Sequence, residues 1–400
     1  MRILYADSID ESAVAQLTKA GHECEFQPKL TADTLPEAIP GFDVLVVRST
    51  RVTAATIAAA DRLGLVVRAG AGTDNIDKQA ASSRGVFVCN VPGRNAIAVA
   101  ELTMGLLLAV DRRIADNTAD LRGGTWNKSR YTEADGLHGK RLGIIGLGDI
   151  GLAVAERAKA FGLSVSAVRK PDRLPRIQAA VRSVGIRMVD DLDTLLAESD
   201  IVSVHVPKAS STSGLVDEAF LAKLPDGAIL LNTSRGDVVD EDALLAALDA
   251  GSIRAGLDVY QNEPGSGTGT FSSKLAAHPA VVGTHHIGAS TSQAQRSVAN
   301  GTNEVIKAYI AGSPVNCVNL RLEPEGTWCL TIRHLDRVGV LANIFAVLRA
   351  NGLNVQQMQN QVFTGGDAAV ASINISAPPA EAVTDAIQEI EEVLNVVVTD

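Results

Sequence analysis

One short segment constrains this chain more than any other. The apolar run Leu142-Gly143-Ile144-Ile145 leads into Gly146-Leu147-Gly148-Asp149-Ile150-Gly151, and a helical pattern follows over residues 152–161. In a strand-to-helix turn of this kind Gly146 permits the tight bend and Gly148 lets the backbone approach a pyrophosphate. Gly151 lets helix and strand pack closely, which leaves the phosphates at the helix N-terminus. A Gly-rich turn without a ligand is the alternative, and the agreement of strand, helix and spacing speaks against it. A dinucleotide-binding α/β unit is expected around this segment.

That unit has company. Up to about residue 95, β-branched runs (Val44-Leu45-Val46-Val47, Leu65-Val66-Val67, Val86-Phe87-Val88) alternate with Ala-rich helical stretches. Such alternation predicts a parallel sheet. A second set follows from Leu142, and residues 96–120 between the two hold helical spacing without Pro, which predicts one long connecting helix. The last eighty residues change character. A strand with Trp328, Leu330 and Ile332 on one face precedes a helix ending at Asn351-Gly352. Two strands joined by Thr364-Gly365-Gly366-Asp367 come next, then a helix after Pro378-Pro379, then Val396-Val397-Val398. The order βαββαβ predicts a small ferredoxin-like module. The fold class is thus α/β, with two parallel-sheet Rossmann-like domains and a C-terminal ferredoxin-like domain. Residues 313–326, with Pro314, Pro324 and Gly326 and with Gly312 just before them, read as the linker, and 265–270 as a flexible Gly/Ser/Thr loop.

Composition narrows the partners. With 36 Lys+Arg against 46 Asp+Glu the net charge is -10, and aromatic residues make up only 4%. Such a chain repels nucleic acid and anionic lipid overall and has little surface for stacking bases, so neither partner is expected. Residues 102–110 are an uninterrupted, mostly apolar run of only nine residues, far short of the roughly 20 that span a bilayer. Cys24, Cys89, Cys317 and Cys329 show no C-x-x-C spacing and build no disulfide framework. With no signal-peptide pattern at Met1-Arg2-Ile3-Leu4-Tyr5, a reducing cytoplasm is the expected compartment. The pair His285-His286 has no companion cluster of ligand spacing, so no metal is expected.

Three blocks beyond the Gly loop carry a resemblance: Leu231-Asn232-Thr233-Ser234-Arg235-Gly236, Leu257-Asp258-Val259-Tyr260-Gln261-Asn262-Glu263-Pro264, and His286-Ile287-Gly288-Ala289-Ser290-Thr291. With the Gly loop, they make the chain resemble the D-isomer-specific 2-hydroxyacid dehydrogenases over nearly its whole length. Its tail is similar to the ACT domain of the phosphoglycerate dehydrogenases among them. The resemblance implies a substrate domain from residues 1–95 and 288–312, a dinucleotide domain at 96–287, and an ACT-like regulatory domain at 327–400. It also implies hydride transfer between a nicotinamide cofactor and a small 2-hydroxy or 2-keto acid, with 3-phospho-D-glycerate the leading substrate. Glyoxylate or hydroxypyruvate is the alternative, and a non-catalytic nucleotide-sensing scaffold is a reading of another class. A homodimer or homotetramer is implied.

The resemblance assigns His286 as general acid/base, Glu263 as its orienting carboxylate and Arg235 as the anchor for the substrate carboxylate and carbonyl. Chemistry asks for the same types. Reducing a 2-keto acid develops alkoxide charge, which an imidazolium quenches and a guanidinium stabilises by bidentate contact. Gly146, Gly148, Asp149, Ile150, Gly151, His205, Val206, Pro207, Thr233, Ser234 and Asp258 are implied at the cofactor. Arg48, Ser49, Arg68, Ala71, Gly72 and Asn95 are implied at the substrate, with Arg48 and either Arg51 or Arg68 toward a distal phosphate. Glu101 and Asn95 also fit a role in holding the connecting helix.

The cofactor position departs from the family pattern. An acid is expected about 20 residues beyond the Gly motif, where it bonds the ribose 2'-hydroxyl. After the strand ending at Val168 this chain has Arg169 and Lys170, with Asp172 displaced beyond Pro171. The cofactor is therefore NAD(P), with NADP(H) favoured by two cations where a repelling carboxylate would stand. In the tail, His334, Asp336 and Asn354 match positions that hold an amino-acid effector, most simply serine, between two copies of the module. Asp336 stands where serine-sensing members have Asn.

Overall fold

The computed structural model describes every residue except 172, 265–267 and 322–327, so Asp172 and parts of the expected loop and linker lie outside the described residues. The chain divides into two compact units, Met1–Asn319 and Leu320–Asp400.

In the first unit the early apolar runs become strands β1 (Arg2–Tyr5), β2 (Glu23–Phe26), β3 (Val44–Val47), β4 (Leu65–Arg68) and β5 (Phe87–Asn90). They form one parallel sheet in the order β2-β1-β3-β4-β5. All four residues of β3 are buried, as continuous apolar strands of a parallel sheet covered on both faces should be. The second set gives β6 (Arg141–Ile145), β7 (Ser164–Val168), β8 (Arg187–Val189), β9 (Ile201–Val204), β10 (Ala228–Asn232), β11 (Ile253–Leu257) and β12 (Val281–Gly283). This parallel sheet runs β12-β11-β10-β9-β6-β7-β8. Its order reverses between β6 and β9, and open α/β sheets bind ligands in the crevice beyond the strand ends at such a reversal.

The connecting helix is two helices, not one. Ala96–Asp111 is buried nearly all round, through Val99, Thr103, Met104, Leu107 and Val110. Ile114–Arg122 has no buried residue, and between them Arg113 takes a left-handed φ of 49°. The apolar cover ends at Val110 and Asp111, so nothing holds the chain on the first axis and the helix breaks there. The sequence pattern missed this because helical spacing continues across a break that only packing reveals. The helix Ser292–Ile310 returns to the five-stranded sheet, where Val305 and Ile306 join Ile3, Tyr5, Val44, Val46, Leu65 and Val67 in one core.

The second unit has the order read from the sequence: β13 (Trp328–Leu335), helix Val340–Ala350, β14 (Val355–Val362), β15 (Ala368–Ile375), helix Glu381–Gln388 and β16 (Val393–Thr399). The antiparallel sheet runs β14-β15-β13-β16. In β15 the period of two puts Ala369, Ala371, Ile373 and Ile375 on the buried face, against Ile344, Leu348, Val383 and Ile387 of the two helices. Among the described residues of the whole chain, no helix is long and apolar enough to cross a membrane.

Candidate active site

The site grows from the C-terminal ends of both parallel sheets. Strand β6 ends at Gly146, whose φ of 98° makes a turn that L side chains resist. A Cβ there would lie 2.4 Å from the His205 carbonyl, and one on Gly151 would lie 2.2 Å from the Gly146 carbonyl. Gly148 caps the helix Asp149–Ala160, and a Cβ on it would meet nothing within 4 Å. Open space thus adjoins a helix N-terminus whose first N–H groups, including those of Asp149 and Ile150, have no intrahelical acceptor. Across the crevice, His205 Nε2 bonds Ser203 Oγ at 2.7 Å while its buried Nδ1 has no partner. Burial holds this imidazole neutral, its pKa pushed down to about 3. Val206 and Pro207 continue from it. A Gly-lined space beside unpaired donors and an uncharged imidazole fits a dinucleotide.

At the end of β7, Arg169 is exposed and its Nε lies 3.3 Å from Asp190 Oδ1, beyond β8. Lys170 is exposed beside it. Arg173 Nη2 donates to the Val168 carbonyl at 2.6 Å, and Arg176 Nη1 reaches Asp149 Oδ1 at 2.8 Å. The sequence places two cations at this corner, with Asp172 beyond Pro171 as the nearest acid along the chain. The structure adds two more cations and brings Asp190 in from the neighbouring strand, a contact that separation along the chain concealed.

The loop carrying His286 is built on a buried aspartate. Asp258 Oδ1 accepts from Thr284 Oγ1 at 2.6 Å and from Ile287 N–H at 2.9 Å, and Oδ2 accepts from Gly288 N–H at 2.9 Å. Its carbonyl accepts the His286 N–H at 2.8 Å. Asp258, implied at the cofactor, spends both oxygens on holding this loop. His286 itself sits at φ 53°, a left-handed conformation that costs a non-glycine residue of order 1 kcal/mol and persists only where surroundings impose it. Its Nδ1 lies 2.7 Å from Glu263 Oε2, and Glu263 Oε1 accepts from Tyr260 N–H at 2.8 Å. Burial pushes the Glu263 carboxyl up, but the bonds from His286 and Tyr260 and the charges of His286 and Arg235 outweigh it and hold the group below its ordinary range. An ionised Glu263 makes Nδ1 the protonated nitrogen and leaves Nε2 to face a substrate.

Arg235 follows β10 in a braced turn. Asn232 Nδ2 donates to the Arg235 carbonyl at 2.9 Å, while Asn232 Oδ1 accepts from Ser234 N–H and Oγ. Thr233 Oγ1 pairs with Thr103 Oγ1 at 2.9 Å. The hydroxyls of Thr233 and Ser234, implied at the cofactor, are thus engaged within the fold. The Arg235 side chain crosses to the loop after β4, where Nε meets Asp74 Oδ2 at 3.1 Å and a Cβ on Gly72 would lie 2.0 Å from Nη2. Two more guanidiniums share that field. Burial first, then the charges of Arg235 and Arg48, lower the pKa of Arg68 to about 10, and its buried Nε has no partner. Three clustered guanidiniums, one with an unsatisfied buried donor, describe an anion site. The backbone around them is fixed: Asp7 Oδ2 accepts from the N–H groups of Arg48, Ser49 and Thr50, and Asn90 Nδ2 donates to the Ala71 carbonyl at 2.5 Å.

Other residues are placed differently. Asn95 precedes the helix Ala96–Asp111 without capping it, and its Oδ1 is buried without a partner. Glu101 pairs with Arg157 at 3.5 Å. Arg51 and His285 are exposed, and among the described residues no group of three acidic, His or Cys side chains is placed to hold a metal. In the second unit, His334 is buried with Nδ1 on the Leu335 carbonyl and Nε2 on Asn360 Oδ1, so an effector finds no free nitrogen there. The alternation of β13 turns His334 toward the core beside Leu330 and Ile332, which the effector reading did not anticipate. Asp336 bonds Asp367 and Asn354 bonds Ser376, at opposite ends of the eight-residue β15. That is a separation of roughly 25 Å at 3.4 Å per residue, so one copy does not bring them together.

Comparison with known proteins places the chain in a family. Residues 104–288 match the NAD binding domain of the D-isomer specific 2-hydroxyacid dehydrogenase family. A hydroxypyruvate reductase from Thermotoga maritima is 44% identical over 74% of this chain and 94% of its own length. The chain belongs to the D-isomer specific 2-hydroxyacid dehydrogenases. A D-3-phosphoglycerate dehydrogenase from Methanocaldococcus jannaschii is 40% identical over 82% of this chain, which spans 61% of that relative's length. Among solved structures, an acyclic imino acid reductase in complex with NADPH and D-Arg superposes with a TM-score of 0.70 at 27% identity, covering 80% of this chain and all of that one.

Proposed function

We propose that this chain interconverts 3-phospho-D-glycerate and 3-phosphohydroxypyruvate, the first oxidation toward serine. The observation that supports it is the cluster of Arg48, Arg68 and Arg235 beside the Glu263–His286 pair. One guanidinium suffices for a 2-keto carboxylate, whereas a phosphate on the distal carbon calls for more. A nicotinamide, when bound, supplies the hydride chemistry. Arg235 binds the carboxylate and polarises the carbonyl, with Ala71 and Gly72 offering backbone N–H groups beside it. His286 Nε2 gives a proton to the substrate oxygen on reduction and takes it on oxidation, while Glu263 keeps Nδ1 protonated and stabilises the imidazolium. Residues 1–95 and 288–312 carry the substrate side, 96–287 the dinucleotide side, and 327–400 the regulatory side. Steady-state kinetics with phosphorylated and unphosphorylated hydroxypyruvate tests the reading. A kcat/KM at least tenfold higher for the phosphorylated acid supports it, and the reverse preference assigns the chain to hydroxypyruvate or glyoxylate reduction, as the Thermotoga relative's name suggests.

Three finer assignments accompany it. The four cations around Arg169 favour acceptance of NADP(H). Ile114 and Leu121 of the otherwise polar helix Ile114–Arg122, with the following Trp126, are exposed apolar side chains that a homodimer or homotetramer would cover, measurable by light scattering. A serine effector, if bound, bridges two copies, since Asp336 and Asn354 of one chain are far apart.

A further inference from the structure

The open edge of the five-stranded sheet carries a thiol pair that the reaction does not use. Strand β5 is the last in its sheet, so its outer edge would present unpaired backbone groups. Residues 316–319, just before the second unit begins, lie along that edge. Asn90 N–H donates to the Asn316 carbonyl at 3.2 Å, and Val318 N–H donates to the Val88 carbonyl at 2.8 Å. The Asn319 side chain completes the seal, accepting from Val88 N–H at 2.8 Å and donating to the Val86 carbonyl at 2.9 Å.

These bonds flank Cys89 and Cys317, which makes the two cysteines a directly opposed, non-hydrogen-bonded antiparallel pair. In such pairs the Cα atoms are about 4.5 Å apart and the side chains are at their closest. The two Sγ atoms are 3.0 Å apart. Cys89 is fully buried and Cys317 is partly exposed.

We propose that Cys89 and Cys317 form a reversible thiol–disulfide switch that fastens the segment leaving the first unit to strand β5. The Cys317 thiolate attacks a low-molecular-weight disulfide, breaking its S–S bond and expelling one thiolate. The Cys89 thiolate then attacks the Cys317 sulfur of the mixed disulfide and expels the second. Two protein thiols lose two electrons and two protons, and the small disulfide is reduced to two thiols. Exposure sets the order, because Cys89 cannot meet a reagent in solution. Its thiol, pushed up by burial and by the neighbouring Cys317, reacts only where the partner sulfur is already in place.

The geometry also makes the bond reversible. Non-hydrogen-bonded antiparallel neighbours as a class stand at the short end of the Cα separations that disulfides span, and bridges away from the preferred geometry are the more easily reduced. Oxidation closes a loop between residues 228 positions apart, within which the entire seven-stranded sheet lies. It also clamps the strand whose end holds the substrate loop, through Asn90 on the Ala71 carbonyl and Val91 N–H on the Gly70 carbonyl.

The test uses the full chain with oxidised glutathione, followed by alkylation and peptide mapping. The expected result is loss of two of the four free thiols, a Cys89–Cys317 cross-linked peptide and full reversal by dithiothreitol. The midpoint of thermal unfolding should rise by about 5 °C on oxidation. Cys89→Ser should stop at a glutathione adduct on Cys317, Cys317→Ser should leave Cys89 unmodified, and neither should show the rise. A wild-type chain that keeps both thiols, or that accumulates a stable glutathione adduct on Cys317 without the cross-link, overturns the proposal.

Discussion

Arg235 Nε lies 3.1 Å from Asp74 Oδ2, so a residue following β10 of one sheet is ion-paired with a residue following β4 of the other. Asp74 occupies Nε and the Ser234 carbonyl occupies Nη1, which aims the rest of the guanidinium over Gly72. Arg235→Lys keeps the charge and loses the planar fork, and is expected to lower kcat/KM by roughly 10²-fold. Asp74→Asn, which only loosens the aim, should cost about tenfold. Equal losses in the two variants would contradict this division of roles.

Gly72→Ala would place a methyl group 2.0 Å from Arg235 Nη2. The guanidinium must move away, so KM for the keto acid should rise severalfold while the dissociation constant for the dinucleotide, measured by fluorescence quenching, stays unchanged. A proportionate weakening of both would point to a general disturbance of the loop.

His286→Ala is expected to leave dinucleotide binding nearly intact and to reduce kcat by 10²-fold or more, the size of general acid/base effects. Glu263 carries a pH signature. Its carboxyl is held below the ordinary value of 4.5, so the folded state is favoured above that pH, and the contribution disappears as pH falls through the lower folded-state value. Glu263→Gln should therefore flatten the loss of stability on acidification through that window. Unfolding curves with the same acid dependence in variant and wild type would show that Glu263 does not titrate this way.

The guanidinium cluster predicts stabilisation by dianions. Arg68, lowered to about 10 first by burial and then by the charges of Arg235 and Arg48, is charged in folded and unfolded chains alike at neutral pH, so the folded state bears both the desolvation and the repulsion. The penalty is present below pH 10 and is relieved only as pH rises through it. Inorganic phosphate at millimolar concentration should raise the midpoint of thermal unfolding at pH 7. Arg48→Met should raise it without phosphate and shrink the phosphate effect. A chain indifferent to phosphate has no such anion site.

For the cofactor, Arg169→Asp should shift the ratio of kcat/KM for NADP(H) over NAD(H) toward NAD(H) by about 10²-fold, since it exchanges attraction for repulsion of a 2'-phosphate. Asp190→Asn, which frees Arg169 from its 3.3 Å partner, should move the ratio the other way. Strong NAD(H) preference in the wild type, unmoved by either variant, would falsify the assignment.

Local pattern determined much of this protein. The Gly146–Gly151 turn, the buried β-branched strands and the βαββαβ tail are legible because each depends on side-chain period and turn chemistry within a dozen residues. The blocks around Arg235, Glu263 and His286 carry the family resemblance that singles those three residues out, and proton transfer and carboxylate binding call for the same residue types. Tertiary structure decided what meets what. Asp74 reaches Arg235 across 161 positions, Asp190 reaches Arg169 across a neighbouring strand, and Cys317 reaches Cys89 across 228. The break at Arg113, the inward turn of His334 and the engagement of Asp258 with the His286 loop belong to the same class. Each depends on where burial ends or which strand lies alongside, and parallel sheets set those neighbours through crossovers that leave no mark on local sequence.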